Sequence, residues 1–302
     1  MKKMINRSHI EGLLYESTLE EKVSGAQAAK PGSKYIAGKL SIEVAEDNVV
    51  IVEIFENEIT KAGAKNQKYD KLVSLIGGNS IVSAGRDNAV CLKVDSALSL
   101  NDWYRPDGEL ISTLRNFNGF INFISLGELQ PSATFEVDML ITSVTDDMTR
   151  DEEGIYEPNG ALKVKGMIFD FANRVMPVEL LVENEAGVKY FRDVEPNTFT
   201  KVWGKQETQT STITKVEESA FGEDKVAEYT NTRKKFVITG TNKEAYMFGE
   251  ESILTVDEVQ TAIASRNVYL ASKKADSEKA AQNRPAPDTS VVKDPTTATF
   301  TF

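Results

Sequence analysis

The 302-residue chain is long enough for two domains with ordinary hydrophobic cores, and its 40% hydrophobic and 27% charged residues are typical of a soluble globular protein. Its net charge of −11 excludes a surface that is basic throughout, so a polyanion would need a local basic face. Its one cysteine, Cys91, excludes an intrachain disulfide, and no apolar run reaches the roughly 18 residues of a membrane span, so we expect a cytoplasmic protein with no membrane partner.

The first half of the chain is predicted to be a run of strands with one helix. The turn Arg105-Pro106-Asp107-Gly108 indicates a hairpin, because proline and glycine stand where turns favour them. The helix is indicated by apolar residues at helical spacing that stop at Gly77-Gly78. The predicted elements are a strand over 8–23 (with a short helix as the alternative), a loop over 21–33, a hairpin over 35–44 and 48–59, a helix over 69–76, a strand over 88–94 and a second hairpin over 98–103 and 109–125.

The second half repeats part of this layout. Residues 35–58 and 161–192 each begin with a strand that contains a glycine, followed by a polar turn and an apolar strand ending in Glu-Asn-Glu. A unit shared at about half the chain length indicates two copies of one domain. The predicted elements are strands over 134–144, 162–171, 174–183, 189–192 and 198–205, an acidic loop over 146–159, a long hairpin over 208–215 and 233–239 with an acidic tip over 217–228, a helix over 255–281 and a disordered tail over 283–302.

Each copy therefore holds about five strands and at most one short helix. This pattern predicts a mainly β protein of two tandem five-stranded Greek-key barrels of the OB type, with a C-terminal helix and a flexible tail. A β-sandwich is the alternative. The predicted divisions are 8–126 for the first barrel, 133–241 for the second, 254–282 for the helix and 283–302 for the tail.

Alternation along two strands of the second copy places lysines and aromatic residues on one face. A core face rarely carries lysine, because an unpaired ammonium is costly to bury. Aromatic rings beside cations can stack bases and neutralise phosphates, as in proteins that bind single-stranded nucleic acid. The alternative is that Phe169, Phe171 and Trp203 fill the gap between the domains or cover the C-terminal helix. The predicted binding residues of this copy are Lys163, Lys165, Phe169, Phe171, Lys201, Trp203 and Lys205.

The first copy offers the same residue types. Tyr35 is predicted on the outer face of a hairpin strand. Trp103 stands at a hairpin tip with two polar or basic neighbours and is predicted to clamp a strand, although a turn whose aromatics fold back on the domain is the alternative. The predicted binding residues of this copy are Tyr35, Lys39, Trp103, Tyr104, Arg105, Arg115 and Phe117, with Phe120 close behind them in the sequence.

Signals for catalysis are weak. The acids Asp146, Asp147, Asp151, Glu152 and Glu153 lack the alternating spacing and glycine of a calcium loop and predict a solvated loop. The only histidine is near the N-terminus, and no nucleophile–base arrangement is evident. We therefore expect no catalytic site, metal or cofactor. A nuclease that uses these acids with a metal is an alternative hypothesis.

Several stretches across residues 8–240 resemble the single-stranded DNA-binding proteins of bacteriophages and related mobile elements, in the branch built from two OB-folds. The resemblance rests on YIAGKLSIEV, VVIVEIFENE, LISTLRNFNGFINFI and LKVKGMIFDF. It implies a non-enzymatic protein that coats single-stranded DNA during replication or recombination, in the bacterial host cytoplasm if a phage encodes it. RNA is the alternative ligand.

The resemblance also implies an acidic, flexible C-terminal tail that recruits replication or recombination proteins. Here the tail departs from the pattern, since residues 271–302 carry four acids against five bases and only the ending with Phe300 and Phe302 matches. The rival to strand binding is a β-rich structural protein of a virion, which would assemble into large particles and have no affinity for DNA.

Overall fold

The structure is a computed structural model, and it describes residues 4–26, 28–150, 154–217, 221, 225–246 and 254–282. In these ranges the protein is mainly β, and its eleven strands are hydrogen-bonded into one continuous sheet. No helix in the same ranges is both long enough and apolar enough to cross a bilayer.

Five strands of the first half close into a ring, which we call the first ring. β1 pairs antiparallel with β3 and β5, β3 with β4, and β5 with β6, while a short parallel contact between β4 and β6 completes the circuit. β2 lies outside the circuit, on the edge of β3. The strands are β1 Asn6–Ser17, β2 Glu20–Val23, β3 Lys34–Ala45, β4 Asn48–Asn57, β5 Cys91–Tyr104 and β6 Leu110–Ile124, and the helices α1 Gln67–Val73 and α2 Ile81–Ala84 lie between β4 and β5.

Five strands of the second half close into a second ring with the same connectivity. β7 pairs antiparallel with β8 and β10, β8 with β9, and β10 with β11, and a parallel contact joins β9 to β11. The strands are β7 Ser132–Arg150, β8 Tyr156–Phe169, β9 Val175–Val182, β10 Phe199–Glu217 and β11 Lys225–Thr241; the helix α3 Glu185–Arg192 lies between β9 and β10, and α4 Val256–Gln282 follows.

Three predictions about elements are wrong. Residues 189–192 are not a strand but the end of α3, which Asn184 caps by accepting a 2.7 Å hydrogen bond from the Gly187 N–H. Most of the predicted acidic loop over 146–159 is strand, because β7 and β8 continue as a hairpin that extends past the ring. Two pairs of predicted strands are single strands: those over 88–94 and 98–103 form β5, and those over 198–205 and 208–215 form β10.

The predicted C-terminal helix is present as α4. Its Val259 and Ala262, together with Leu254 just before the helix, are buried against Phe169 and Phe199 of the second ring. Burying apolar side chains in this way is the main source of stability for a surface helix. The predicted tail over 283–302 and its aromatic ending lie outside the described residues.

α4 is also fixed to the first ring by a buried ion pair. The Arg266 guanidinium donates two hydrogen bonds to the Asp102 carboxylate of β5, at 2.9 and 3.1 Å, and the Ser112 hydroxyl donates a third at 2.5 Å. Both charged residues are almost fully buried. Because breaking a buried pair leaves an uncompensated charge, this contact fixes the position of the helix relative to β5.

The two rings are joined edge to edge by an antiparallel ladder between β1 and β7, from Asn6 opposite Val137 to Glu11 opposite Ser132. A closed cycle of buried polar side chains supports this ladder. The Ser8 hydroxyl donates to Asn116 Oδ1 at 2.6 Å, Asn116 Nδ2 donates to Gln206 Oε1 at 2.8 Å, and Gln206 Nε2 donates back to Ser8 Oγ at 2.8 Å. Ser8 and Asn116 belong to the first ring and Gln206 to the second, so the cycle fixes one ring against the other.

Replacing Gln206 with leucine is expected to destabilise the protein, because Asn116 Nδ2 then loses its main acceptor inside the junction. An orphaned buried polar group costs about 1–3 kcal/mol, and urea unfolding should show a loss of that size. The control Gln130→Leu changes a side chain on the surface and should alter stability by less than about 0.5 kcal/mol. Equal stability of the two variants would contradict a specific role for the cycle.

Candidate nucleic-acid interface

The register of four neighbouring strands builds one outer face across both rings. Trp203 of β10 stands opposite Glu136 of β7, and Glu136 stands opposite Arg7 of β1. Two residues further along β1, His9 stands opposite Asp95 of β5. Directly opposed residues share a face, so these side chains form a continuous row over the junction.

This row is the floor of a groove of about 1430 Å³, which is lined by residues of both rings. Large exposed aromatic residues stand around it. Trp203 is 39% exposed, Phe120 65% and Phe171 91%, and Phe117 is half-buried. Exposed aromatic residues gathered at one concave surface are a recognised mark of a binding site.

Trp203 is held in place by two glycines. A Cβ on Gly240, which stands opposite Trp203 on β11, would lie 2.5 Å from the indole ring, so the ring lies directly on the backbone of β11. The β10–β11 register shifts between Trp203 and Gly204, and a Cβ on Gly204 would lie 1.9 Å from the Val237 carbonyl oxygen. The irregularity and the close backbone approach together turn the indole onto the groove.

Phe171 is carried by the turn between β8 and β9. The Asp170 carboxylate accepts hydrogen bonds from the backbone N–H groups of Ala172 and Arg174, both at 2.9 Å, and pairs with the Arg174 guanidinium at 2.7 Å. The same guanidinium lies over the Tyr269 ring of α4, 5.5 Å from its centroid. The turn is therefore supported by the C-terminal helix, while its aromatic side chain stands free.

Two groove cations are each adjacent to an aromatic ring and a carboxylate of the same surface. Lys68 of α1 lies over the Phe120 ring at 4.2 Å and is 3.5 Å from Glu56. Lys201 lies over the Trp203 ring at 5.8 Å and pairs with Glu136 at 2.9 Å, and this hydrogen bond raises the pKa of Lys201.

Carboxylates therefore compensate most of the positive charge in the groove. His9 also contacts an acid, with its Nδ1 2.8 Å from an Asp95 oxygen. Arg7 differs, since it has no ion pair with any residue that the structure describes. A polyanion entering this groove must compete with internal carboxylates for the cations, so aromatic stacking has to supply much of its binding energy.

A second face with aromatic residues adjoins the groove on the first ring. Tyr35 and Phe55 lie with ring centroids 5.0 Å apart on the outer side of β3 and β4. Arg115 of β6 lies over the Phe117 ring at 4.5 Å and donates a hydrogen bond to Glu53. Since Phe117 also lines the groove, the two surfaces are continuous.

The structure brings together part of the predicted set. Four predicted residues line the groove, namely Phe117, Phe171, Lys201 and Trp203. Three more, Tyr35, Lys39 and Arg115, lie on the adjoining face of the first ring. The two predicted grooves, one for each copy, thus form one surface across the junction.

The predicted clamp Trp103, Tyr104 and Arg105 does not line the groove. The β5–β6 hairpin carries these three residues and contacts the second ring. Leu100 and Leu114 of this hairpin pack against the core of that ring. Trp103 is 45% exposed, and Arg105 pairs with its neighbour Glu109 at 2.5 Å.

Three predicted lysines of the second ring also lie outside the groove, and each forms an ion pair with a carboxylate. Lys163 pairs with the buried Asp147 at 2.9 Å, and Lys165 pairs with Glu179 at 3.6 Å. Burial acts to raise the pKa of Asp147, but its hydrogen bonds with Lys163 and Asn159 outweigh burial and the pKa is lowered. Lys205 pairs with Glu207 at 2.5 Å.

The prediction that Phe169 stacks bases is wrong. Phe169 is fully buried between the second ring and α4. For this residue the alternative interpretation, an aromatic ring covered by the C-terminal helix, is correct. Burial does not alternate here, because Ile168 is buried on the inner side of the ring and α4 covers Phe169 on the outer side.

The acids considered for a metal site are only partly described. Asp146 pairs with Arg192 at 2.7 Å, and Asp147 is held by Lys163 and Asn159. Residues 151–153 lie outside the described ranges. In the part of the chain that the structure covers, no three His, Cys, Asp or Glu side chains are grouped as a metal would require.

Other groove residues carried no signal in the sequence that would have identified them. Lys68 and Arg174 are ordinary surface cations of a helix and a turn, and Arg7 and His9 lie in a strand whose partner on the second ring was unknown. The pairing of β1 with β7 makes them neighbours of Trp203. Phe55 could have been found by alternation, since it lies two residues from Glu53 on the outer side of β4.

The close packing of Trp203 on Gly240 can be tested directly. Gly240→Ala is expected to push the indole outward while the fold is kept, because the ring is partly exposed and can move. In a Trp103→Phe background, which leaves Trp203 as the only tryptophan, emission should shift to longer wavelength. The control Gly127→Ala adds a methyl group where nothing lies within 4 Å. An unchanged spectrum for Gly240→Ala would contradict the described packing.

Comparison with known proteins gives a family and several similar structures. No curated protein matches the sequence. A deletion mutant of the single-stranded DNA-binding protein from Thermus aquaticus is similar over 83% of this chain and 100% of its own, with 11% identity and a TM-score of 0.48. The wild-type protein from the same organism is similar over 81% of this chain and 95% of its own, with 9% identity and a TM-score of 0.46. The YorF family model matches residues 4–276, and the chain therefore belongs to the YorF family.

Proposed function

We propose that this protein binds single-stranded nucleic acid, DNA in the first place, in the groove between its two rings and without catalysis. The observation that carries the proposal is the group of exposed rings of Trp203, Phe171, Phe120 and Phe117 around a concave surface of about 1430 Å³. Every base has a flat face, so a row of such rings accepts bases with little regard to sequence.

The chemistry of the groove favours a single strand over a duplex. Bases must be unpaired to stack on protein rings, and each stacked base contributes about 1–3 kcal/mol by alanine substitution. Cations stand next to the rings, so a phosphate can be neutralised beside a stacked base. The polar floor offers both donors and acceptors to base edges through Arg7, His9 and Glu136.

We further infer that each ring is a barrel of the OB type. The order of strand pairing in both rings supports this. The first strand pairs with the second, the second with the third, the third in parallel with the fifth, the fifth with the fourth, and the fourth with the first. In such barrels the second and third strands present the binding face. In the first ring these are β3 and β4, which carry Tyr35, Lys39 and Phe55. The two barrels would correspond to 8–126 and 133–241.

The biological role that we propose is coating of single strands during replication or recombination of a phage or mobile element, in the bacterial cytoplasm. The sequence resemblance described above supports this role. Recruitment of replication proteins would fall to the tail over 283–302. The groove itself supports only the more general activity, sequence-tolerant strand binding.

The two tryptophans provide a test, because Trp203 lines the groove and Trp103 does not. Titration with oligo(dT) should quench the fluorescence of the Trp103→Phe protein and leave that of the Trp203→Phe protein almost unchanged. Trp203→Ala should weaken binding by about 1–3 kcal/mol, while Trp103→Ala serves as its matched control. Oligo(rU) in parallel measures the preference for DNA over RNA.

Two results would contradict this. Quenching confined to Trp103 would move the site to the hairpin tip. Quenching of neither tryptophan, with no DNA retained at low salt, would disprove strand binding. Large particles in that second case would favour the structural assembly protein.

The charge-compensated groove gives a second prediction. Glu136→Gln keeps the shape of the floor but removes the carboxylate that holds Lys201. Binding should become tighter at low salt, and the salt dependence of log K should steepen by about 0.7, the value for one further phosphate contact on a single strand. Glu179→Gln, which frees Lys165 outside the groove, is the control and should change neither quantity. Weaker binding by Glu136→Gln would mean that this carboxylate contacts the bases.

A further inference from the structure

Three cationic side chains lie close together beside the groove, where the second ring contacts the first. Lys39 of β3 stands opposite Glu53 of β4, and Arg115 of β6 donates a hydrogen bond to the same Glu53. Lys234 of β11 lines a small cavity together with Arg115. We call Lys39, Arg115 and Lys234 the cation site.

The cation site has more positive charge than its surroundings neutralise. Glu53 is its one carboxylate partner among the described residues, and neither Lys39 nor Lys234 has an ion pair there. The Nε of Arg115 is buried and has no hydrogen-bond acceptor among the same residues. Two nearby lysines do not change the balance, since Lys235 pairs with Glu183 at 3.2 Å and Lys205 pairs with Glu207.

The electrostatics of Lys234 favour a nearby anion. Burial is the main cause of its lowered pKa; Glu53 acts in the opposite direction, and the positive charges of Lys39 and Arg115 lower the pKa further. The side chain of Lys234 is still exposed to solvent, so an anion can reach it, and relief of the repulsion among the three like charges would favour binding. Such an arrangement in a chain with a net charge of −11 is typical of a functional site.

We propose that the cation site binds a phosphodiester group of the same strand whose bases occupy the groove. This inference rests on the proposed function. Phe117 connects the groove with the cation site, because its ring lines the groove and lies under the Arg115 guanidinium. A base stacked at Phe117 brings its own phosphate next to Arg115, and the next phosphate reaches Lys39 and Lys234.

The site is built from both rings, since Lys39 and Arg115 belong to the first and Lys234 to the second. Asn48 of β4 accepts a hydrogen bond from the Thr208 N–H and donates one to the Gln206 carbonyl, so the second ring is held on β4 close by. A strand bound along this path therefore contacts each ring in two places, once in the groove and once at the cation site.

The experiment is a salt titration of oligo(dT) binding, read from Trp203 fluorescence in the Trp103→Phe protein. Lys234→Gln should lower the slope of log K against log salt by about 0.7, which corresponds to about a fivefold loss of affinity at 0.1 M salt if the affinities converge near 1 M. The quenching amplitude at saturation should stay the same, because the groove is still filled. Lys234→Arg should restore the slope.

Lys274→Gln, on the exposed part of α4, is the matched control and should leave slope and affinity unchanged. Lys234→Gln should unfold at the temperature of the parent protein or slightly above it, because the repulsion from Lys39 and Arg115 is relieved, and this excludes misfolding as the cause. If DNA quenches the parent protein, but Lys234→Gln has the same slope and affinity as the parent, the cation site is disproved. The proposed function is not affected by that result. Absence of quenching in the parent protein itself would overturn the proposed function.

A free phosphate is the other source of the same chemistry. Calorimetric titration with inorganic phosphate separates the two. If Lys234→Gln loses phosphate binding but binds DNA as the parent protein does, the cation site is a site for a small anion. The proposal that the DNA strand reaches it would then be disproved. Weak or absent phosphate binding with the reduced DNA slope is the expected result.

Discussion

The ladder between β1 and β7 is the constraint on which the rest of the structure depends. It places the outer faces of two rings side by side, and only then do Trp203 and Phe120 border one concave surface. The ladder alone would leave the rings free to twist, because a single strand pair is a flexible joint. The buried cycle of Ser8, Asn116 and Gln206 removes that freedom, since polar groups without water must keep their partners.

The groove combines strong apolar contact with nearly balanced charge. Its cations are held by carboxylates of the same surface, and this agrees with the acidic character of the whole chain. Such a surface attracts polyanions only weakly from a distance and gains its contacts at short range. The cation site, which is built from both rings, is the exception; in the proposed complex the groove would hold base faces and the cation site a phosphate.

Strand alternation predicted much of this, and its failures have physical causes. On β10 the period of two held, so Lys201 and Trp203 were placed correctly on the outer face, opposite the buried Val202. At Phe169 the period failed because α4, almost ninety positions later, covers that side of β8. Residues 189–192, predicted as a strand, are helical because Asn184 caps the N-terminus of the helix that contains them. The prediction relied on composition and overlooked this capping residue.

The groove itself could not be predicted from the sequence. Its floor depends on which residue of β1 stands opposite which residue of β7, and a shift of one residue would turn Arg7 and Glu136 to the other face. That register is fixed by side-chain contacts between positions far apart in the chain. Asn116 and Gln206, for example, are separated by 90 residues, and nothing local marks them as partners.

The position of α4 at the end of the described chain has a consequence for biosynthesis. Both rings can close before α4 leaves the ribosome, but until then Phe169 and Phe199 lack their cover and Asp102 lacks its guanidinium. The contact between Asp102 and Arg266 spans 164 positions, and contacts of such separation pay a large loop-closure cost and form late. A nascent or truncated chain without α4 would thus expose an apolar seam that chaperones and proteases recognise.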